Sequence, residues 1–413
     1  MNHKKVLTMI FILALLLRLF FVFAIPVFQK PDENMHFEYI EFVAENKKLP
    51  VGGNFLSEFF QAPLYYITTS FMLNSIRIFT ENLWVQVMLM RLISVFLSMI
   101  TLYIIYKIAS LIFANKSLVL GILSFASFLP SHLNVNSNVT NANLSQVFTT
   151  LIIFMLILNL SKTSFRNNAI IGGLAGLALI TRASSLPAVL TIPFAYAIKL
   201  FPRVKKAIKP LIIIVLIALI ISSWVLIRNF MLYGDIFAYS AIQMSTPPDF
   251  MEKNIVFVVK VLIWTFATFW ATFGRINNVF IGSIDSAAGI SILFIFNFFL
   301  LIVTLCSVFG LITLYKKYKK NKKVLSSFQI KSFLILATQI ILMLILFIKF
   351  NLYNFEPQGR LFFPAIAGFA VFFTLGIFTL FEKYKIKNFL TTYIAFFLLI
   401  DIISMIRVIQ FFY

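Results

Sequence analysis

Apolar runs of roughly twenty residues recur along the whole of this chain, each closed by a short polar or basic segment. As an α-helix, a run of that length matches the ~30 Å hydrocarbon thickness of a bilayer. Hydrocarbon admits only helices or closed barrels, because every backbone N–H and C=O must find its partner inside the structure. Runs at 6–28, 85–107, 117–133, 142–160, 168–181, 184–200, 211–227, 291–314, 332–350, 361–380 and 389–409 qualify. The expected fold class is therefore an all-α polytopic membrane protein with about eleven transmembrane helices. Two further apolar stretches, 63–79 and 255–273, are long enough to be ambiguous.

Charge resolves the ambiguity. Thirty-five Lys and Arg against fourteen Asp and Glu give a formal net charge of +21. In a soluble chain that excess would raise nucleic-acid binding. Here 61% of residues are hydrophobic and only 12% charged, and the basic residues fall between apolar runs, as membrane-surface charges do, so nucleic acid is excluded as a partner. The basic clusters are Lys4 and Lys5, Lys107 and Lys116, Lys162 and Arg166, 199–209, 316–323 and 383–387. All share one side only if neither ambiguous stretch crosses, and the positive-inside rule makes that side cytoplasmic. The N-terminus is then cytoplasmic, in a cell membrane taken to be the bacterial cytoplasmic one. The two stretches become interfacial helices in a first outer loop, 28–84, and a second, 228–290. Every acidic residue except Glu382 and Asp401 then lies outside, which the assignment did not assume.

Residues 1–413 read as one integral-membrane domain with no soluble domain, so any chemistry takes place at or in the bilayer. Lys4 and Lys5 before an apolar run resemble a signal peptide, but the run is long, carries Arg18 and lacks a small-x-small site, which favours a retained first span. Arg18 is either a functional bundle-facing charge or a paired or snorkelling one. The lone Cys306 excludes an internal disulfide or a CxxC site and reads as a small packing residue. No GxxxxGK[ST], HExxH or strand-linked GxGxxG occurs. Gly172, Gly173 and Gly176 lie in an apolar helix, where small residues four apart mark close helix packing.

The outer loops hold the candidate chemistry. A short helix is expected over Glu33 to Asn46, ended by Pro50, Gly52 and Gly53. Asp32 stands at its start, either as an N-cap or as a general base at the membrane surface. Glu33 and His36 would orient it or bind a second group. Trp224, Arg228 and Asn229, followed by the Tyr233-Gly234-Asp235 turn, bring both signs of charge to the interface. Trp264, Phe269 and Trp270 read as an interfacial aromatic belt followed by a cation, Arg275. In Glu356-Pro357-Gln358-Gly359-Arg360 a guanidinium suited to bidentate phosphate recognition stands at the mouth of the bundle, where it could equally be a headgroup anchor. Arg182, in a very short outer turn, has the same two options. The amide-rich segment 131–143 reads as solvated turns that also suit sugar hydroxyls.

In order, these motifs resemble the GT-C superfamily of polyprenyl-phosphate-sugar-dependent glycosyltransferases. They are Asp32-Glu33 with His36-Phe37 and Tyr39, then Ala62-Pro63-Leu64-Tyr65-Tyr66, Arg91 with Leu92-Ile93-Ser94, Thr181-Arg182, Trp224 with Arg228-Asn229, and Pro357-Gln358-Gly359-Arg360 with Pro364. The last, with Phe269-Trp270 and Phe273-Gly274, is similar to a bacterial branch near the protein O-mannosyltransferases and aminoarabinose transferases. The resemblance implies transfer, with inversion, from a polyprenyl-phosphate sugar to a lipid, glycan or protein hydroxyl on the extracytoplasmic face. It carries the catalytic role onto Asp32 and Glu33. His36, Tyr65, Tyr66, Arg182, Arg228, Arg275 and Arg360 become candidate substrate-binding residues, with Arg360 first for the leaving phosphate. Some relatives bind a divalent metal, which makes one possible here without naming ligands. The alternative reading is a transporter or flippase of anionic lipid-linked substrates, which would place its functional charges near mid-membrane.

Overall fold

The structure, a computed structural model, describes residues 3–52, 58–161, 164–236, 238, 240–241, 252–271 and 287–413, without the side chains of 287–296. Every regular element among them is helical: α1 His3–Ala24, α2 Glu33–Asn46, α3 Leu64–Arg77, α4 Leu83–Ile112, α5 Lys116–Phe128, α6 Pro130–Val135, α7 Ala142–Ser161, α8 Phe165–Leu179, α9 Leu186–Leu200, α10 Ile208–Tyr233, α11 Ile255–Trp270, α12 Ala287–Lys320, α13 Ser327–Tyr353, α14 Ile366–Lys383 and α15 Phe389–Phe412. Side-chain caps start many of them. Asn82, Asn115, Ser164 and Asn254 each accept a first-turn N–H, and Ser326 with Gln329 forms a capping box. Gly234, at φ 75°, closes α10 in the left-handed conformation.

Among the described residues, nine helical stretches are long and apolar enough to cross a membrane, against about eleven expected. The other two expected spans have physical reasons to be shorter. The stretch at 117–133 breaks between α5 and α6, where Leu129 turns extended before Pro130. Proline has no N–H, so the carbonyl of Ala126 loses its helical partner and takes His132 Nδ1 at 2.7 Å instead. The stretch at 168–181 is α8, 15 residues long. Its Gly172 and Gly176 press on the backbone of α10, where an added Cβ would meet Ile214 O at 2.8 Å and Ala218 O at 2.9 Å.

Arg18 is wholly buried and bonded within the bundle. Its Nε donates to Ser98 Oγ at 2.7 Å, and Nη1 donates to the Ala14 and Ser127 carbonyls. Cys306 corrects the sequence reading: it faces outward, because its neighbour Ser307 is the residue turned inward on α12, bonding the Phe373 carbonyl of α14.

Bonds between chain segments separate two ends of the bundle. At one, Gln329 Nε2 donates to Ile112 O at 3.1 Å and Lys331 Nζ to Lys199 O at 3.2 Å, joining the start of α13 to the ends of α4 and α9. At the other, Arg91 of α4 donates to the carbonyls of Val22, Ile25 and Pro26 at the end of α1. The loop containing α2 and α3 therefore leaves and returns at one end. There α11 lies along the segment before α14: Phe257 meets the Phe355 ring, and Thr268 Oγ1 accepts the Gly359 N–H at 2.7 Å. The last residue of α11 departs from the interfacial belt expected of it. Trp270 is 2% exposed and inserts among Phe125, Phe373 and Phe397. With the end of α11 directed into the bundle, apolar burial outweighs the interfacial preference of tryptophan.

Candidate active site

Asp32 precedes α2 with φ 59° and ψ 9°, a left-handed conformation that aspartate adopts more readily than most non-glycine residues. Its side chain does not cap the helix. Instead Asp32 Oδ2 accepts Arg360 Nη2 at 2.6 Å, across 328 residues of chain. Of the two roles open to Asp32 in the sequence, the cap is not the one it takes.

Local packing positions both partners. Arg360 is the second residue of a 3₁₀ turn, Gly359–Ala365, whose first residue lies so close to α11 that a Cβ on Gly359 would stand 2.3 Å from Phe269 N. Only glycine fits there. On the other side, Glu33 presents both oxygens to Arg91, at 2.7 and 2.6 Å, and accepts the Phe28 N–H at 2.9 Å. Glu33 and Arg91 are fully buried, so Glu33 stands behind Asp32 and does not face an opening. Arg91 also satisfies the orphan carbonyls at the end of α1, so this one side chain locks α1, α4 and the start of α2 together.

His36, one turn further on, is buried between Tyr66 and Thr140: Nδ1 lies 2.7 Å from Tyr66 Oη and Nε2 3.2 Å from Thr140 Oγ1. Burial, together with Arg182, pushes it down to about 3, against the pull of Asp32, so it is a neutral hydrogen-bonding ring at pH 7. Tyr66 stacks on Tyr39 with centroids 3.7 Å apart. Tyr65 and Tyr66 are both buried and form the wall behind the site.

The amide-rich segment is a correction as well. Asn134, Asn136, Asn138, Asn141 and Asn143 are all buried, so they do not form solvated turns. Long-range bonds draw the segment in: Lys30 Nζ donates to Ser137 O and Oγ, Asn138 Nδ2 to Pro31 O, and Arg182 Nη1 to Asn141 Oδ1 at 2.7 Å. Asn141 continues through Gln61 to Glu58, whose Oε2 accepts Gln61 Nε2 at 2.7 Å.

Asp32, Glu58 and Glu356 thus share one electrostatic cluster with Arg182 and Arg360. Burial acts to raise the carboxyl of Asp32, but Arg360, His36 and Arg182 outweigh it and hold it below the ordinary 3.8. Burial pushes Glu58 and Glu356 the other way, above the ordinary 4.5, with the charge on Asp32 adding to the effect. Arg182 is lowered from the usual arginine value by burial and by Arg360.

Of the expected site residues, the structure brings Asp32, His36, Tyr66, Arg182 and Arg360 together. Arg228 donates to Pro50 O at 2.6 Å, tethering the first loop to α10, and its charge reaches Tyr39 behind the site. Arg275, Phe273 and Gly274 lie outside the described residues. Sequence reasoning passed over Glu58, placed Glu356 and Asn141 in candidate segments without a role of their own, and took Arg91 only as part of a motif. A clue was present in that Glu58 and Glu356 each lie within a few residues of a motif already singled out. Among the described residues, no group of three or more His, Cys, Asp or Glu stands close enough to hold a metal ion. The described residues by themselves offer no donor set for a divalent cation.

No family model matches the sequence, and no curated protein does. Solved structures do. The crystal structure of the Archaeoglobus fulgidus oligosaccharyltransferase in the apo form superposes over 99% of this chain with a TM-score of 0.53 at 12% identity. The chain shares the fold of that oligosaccharyltransferase. At that identity the likeness concerns architecture alone, and this chain spans 56% of the oligosaccharyltransferase chain. The fold nevertheless bears on the site, because it brings the loop after α1 and the segment before α14 to one end of the bundle, where Asp32 and Arg360 meet.

Proposed function

We propose that this chain is a membrane glycosyltransferase that moves a sugar from a polyprenyl-phosphate donor to a hydroxyl of a lipid, glycan or protein acceptor, on the extracytoplasmic face of the cell membrane. The observation that carries the reading is the contact between Asp32 and Arg360: a partly exposed carboxylate and a guanidinium, a group suited to phosphate, share one point. In the resting state each occupies the other. A donor phosphate draws Arg360 away, with Arg182 as a second cation. Asp32, freed from the charge that depresses it, becomes a stronger base.

The acceptor hydroxyl gives its proton to Asp32 as its oxygen bonds the anomeric carbon. The bond from that carbon to the phosphate oxygen breaks on the opposite face, and polyprenyl phosphate leaves with the electron pair. The sugar is inverted. Two guanidiniums stabilise the leaving anion, so it needs no strong acid. Neutral His36 and the Tyr39–Tyr66 stack form a rigid wall that holds the α2 start in place. Glu33 acts through Arg91 as a positioning residue.

The nearer kinship proposed is with the bacterial enzymes akin to protein O-mannosyltransferases and aminoarabinose transferases. Purified protein incubated with a panel of polyprenyl-phosphate sugars and a mixed membrane acceptor extract should release polyprenyl phosphate from at least one of them. Asp32→Asn should abolish the release. Transbilayer movement of the donor in proteoliposomes without any release would instead identify a flippase.

A further inference from the structure

At the end of the bundle opposite Asp32, a cavity of about 650 Å³ opens between the end of α9, the turn after it, the end of α12 and the start of α13. Its walls are apolar, with Phe201, Ile330 and Leu334 among them, and Phe201 and Leu334 remain exposed to the surroundings of the bundle. Its polar rim is cationic. Lys322 Nζ sits 4.2 Å from the Tyr318 ring centroid, and Lys331 Nζ donates to the Lys199 carbonyl. Ser327, the first residue of α13, also lines it and contributes the positive end of that helix. The surrounding surface carries the basic runs 199–209 and 316–323, with no acidic residue in either.

We infer that this cavity binds an anionic phospholipid, the headgroup phosphate between Lys322 and Lys331 and an acyl chain along Phe201, Ile330 and Leu334. A free anion would satisfy the lysines and leave the apolar wall uncovered. A neutral lipid would cover the wall and leave the two ammonium groups unmatched. Only a ligand carrying both parts matches the whole cavity, and basic pockets between membrane helices recognise anionic headgroups in this manner.

Position gives the site a consequence. The two helices it joins, α9 and α13, pack against each other, and their far ends lead into Arg182 and Arg360 respectively. A lipid seated between them clamps the pair of helices whose far ends lead to the two site cations. The inference stands whether or not the transfer reaction proposed above is correct.

Native mass spectrometry of the full chain, delipidated in mild detergent and titrated with dioleoyl-phosphatidylglycerol, tests it. One bound lipid should be retained, with a rise in thermal unfolding temperature. Lys322→Gln/Lys331→Gln should weaken binding by about thirtyfold, from roughly 1 kcal/mol per lysine. Ile330→Trp, which fills the apolar part without changing charge, should weaken it too. The charge-matched control Lys316→Gln/Lys317→Gln should bind as the wild type does. Equal loss in that control, equal retention of dioleoyl-phosphatidylcholine, or displacement by inorganic phosphate at matched concentration would overturn the assignment.

Discussion

Asp32 and Glu33 are neighbours in sequence, each is paired with an arginine from a distant helix or turn, and the two pairs differ in almost every physical respect. Glu33 and Arg91 are wholly enclosed, with two parallel hydrogen bonds, and Arg91 has three backbone carbonyls besides. Asp32 keeps 39% of its side chain exposed and makes one contact to an arginine that is itself partly open. An enclosed, fully bonded pair has nothing left to offer a substrate and costs a great deal to break. A half-open pair can exchange partners. Two acids that look alike on paper therefore divide into one locked into the fold and one left open to exchange its partner.

The contrast is broken most directly at Arg91. Arg91→Ala leaves Glu33 as an uncompensated buried charge, and unfolding in detergent should become easier by about 3–5 kcal/mol. Glu33→Met/Arg91→Met should recover part of that, though the carbonyls of Val22, Ile25 and Pro26 stay unserved. If Arg91→Ala unfolds like the wild type, the enclosed pair is not the lock described here.

Asp32→Asn should behave in the opposite way, removing activity by roughly 10²–10⁴-fold, the usual worth of a general base, while leaving stability within about 1 kcal/mol. Its pH dependence has a definite sign. The folded value of Asp32 lies below 3.8, so the contribution of its pair is complete above that pH and fades only as the pH falls below it. On a Glu58→Gln/Glu356→Gln background, which removes the neighbouring carboxyls that Asp32 raises, the stability gap between Asp32 and Asp32→Asn should accordingly stay constant from about pH 5 to 8. A gap that changes within that range would contradict the ion pair.

Arg360→Ala should slow polyprenyl-phosphate release by about 10²–10³-fold, as loss of one stabilising donor typically does. Lysine should restore only part of the rate, because it lacks the planar fork. Steady-state kinetics that show a change in KM alone would reassign Arg360 from leaving-group stabilisation to donor capture.

The smallest effect concerns Glu58 and Glu356. Both are raised above 4.5 in the fold, so the folded state binds more protons than the unfolded chain just above that pH, and stability declines as pH rises through the raised values. Glu58→Gln and Glu356→Gln should each raise the unfolding temperature at pH 8 and change it little at pH 4. No difference between those two pH values would remove the carboxylates from the cluster.

How much of this could be read from residues alone follows the range of the interactions. The helix at Glu33–Asn46 is legible because apolar spacing and its terminating Pro50 and Gly52 are local signals. So is the Gly172/Gly176 contact face, where missing side chains announce a close neighbour. The break at Pro130 is equally local, yet it was hidden inside a run apolar enough to read as one span. Arg91 could not be assigned, since its meaning lies in Glu33, 58 residues away, and in carbonyls at the end of another helix. The burial of the asparagines from Asn134 to Asn143 contradicts their composition, because Lys30, Arg182 and Gln61 draw the segment inward from three other parts of the chain.

By itself the sequence determined that the chain is a bundle of apolar helices, because hydrocarbon leaves the backbone no other way to satisfy its hydrogen bonds over such runs. It also determined where the candidate acids and arginines stand along the chain, and that basic residues cluster between spans. Which acid meets which arginine was decided only by tertiary structure. Ion pairing depends on distances of a few ångströms between groups hundreds of residues apart, and no periodicity or local propensity encodes those distances.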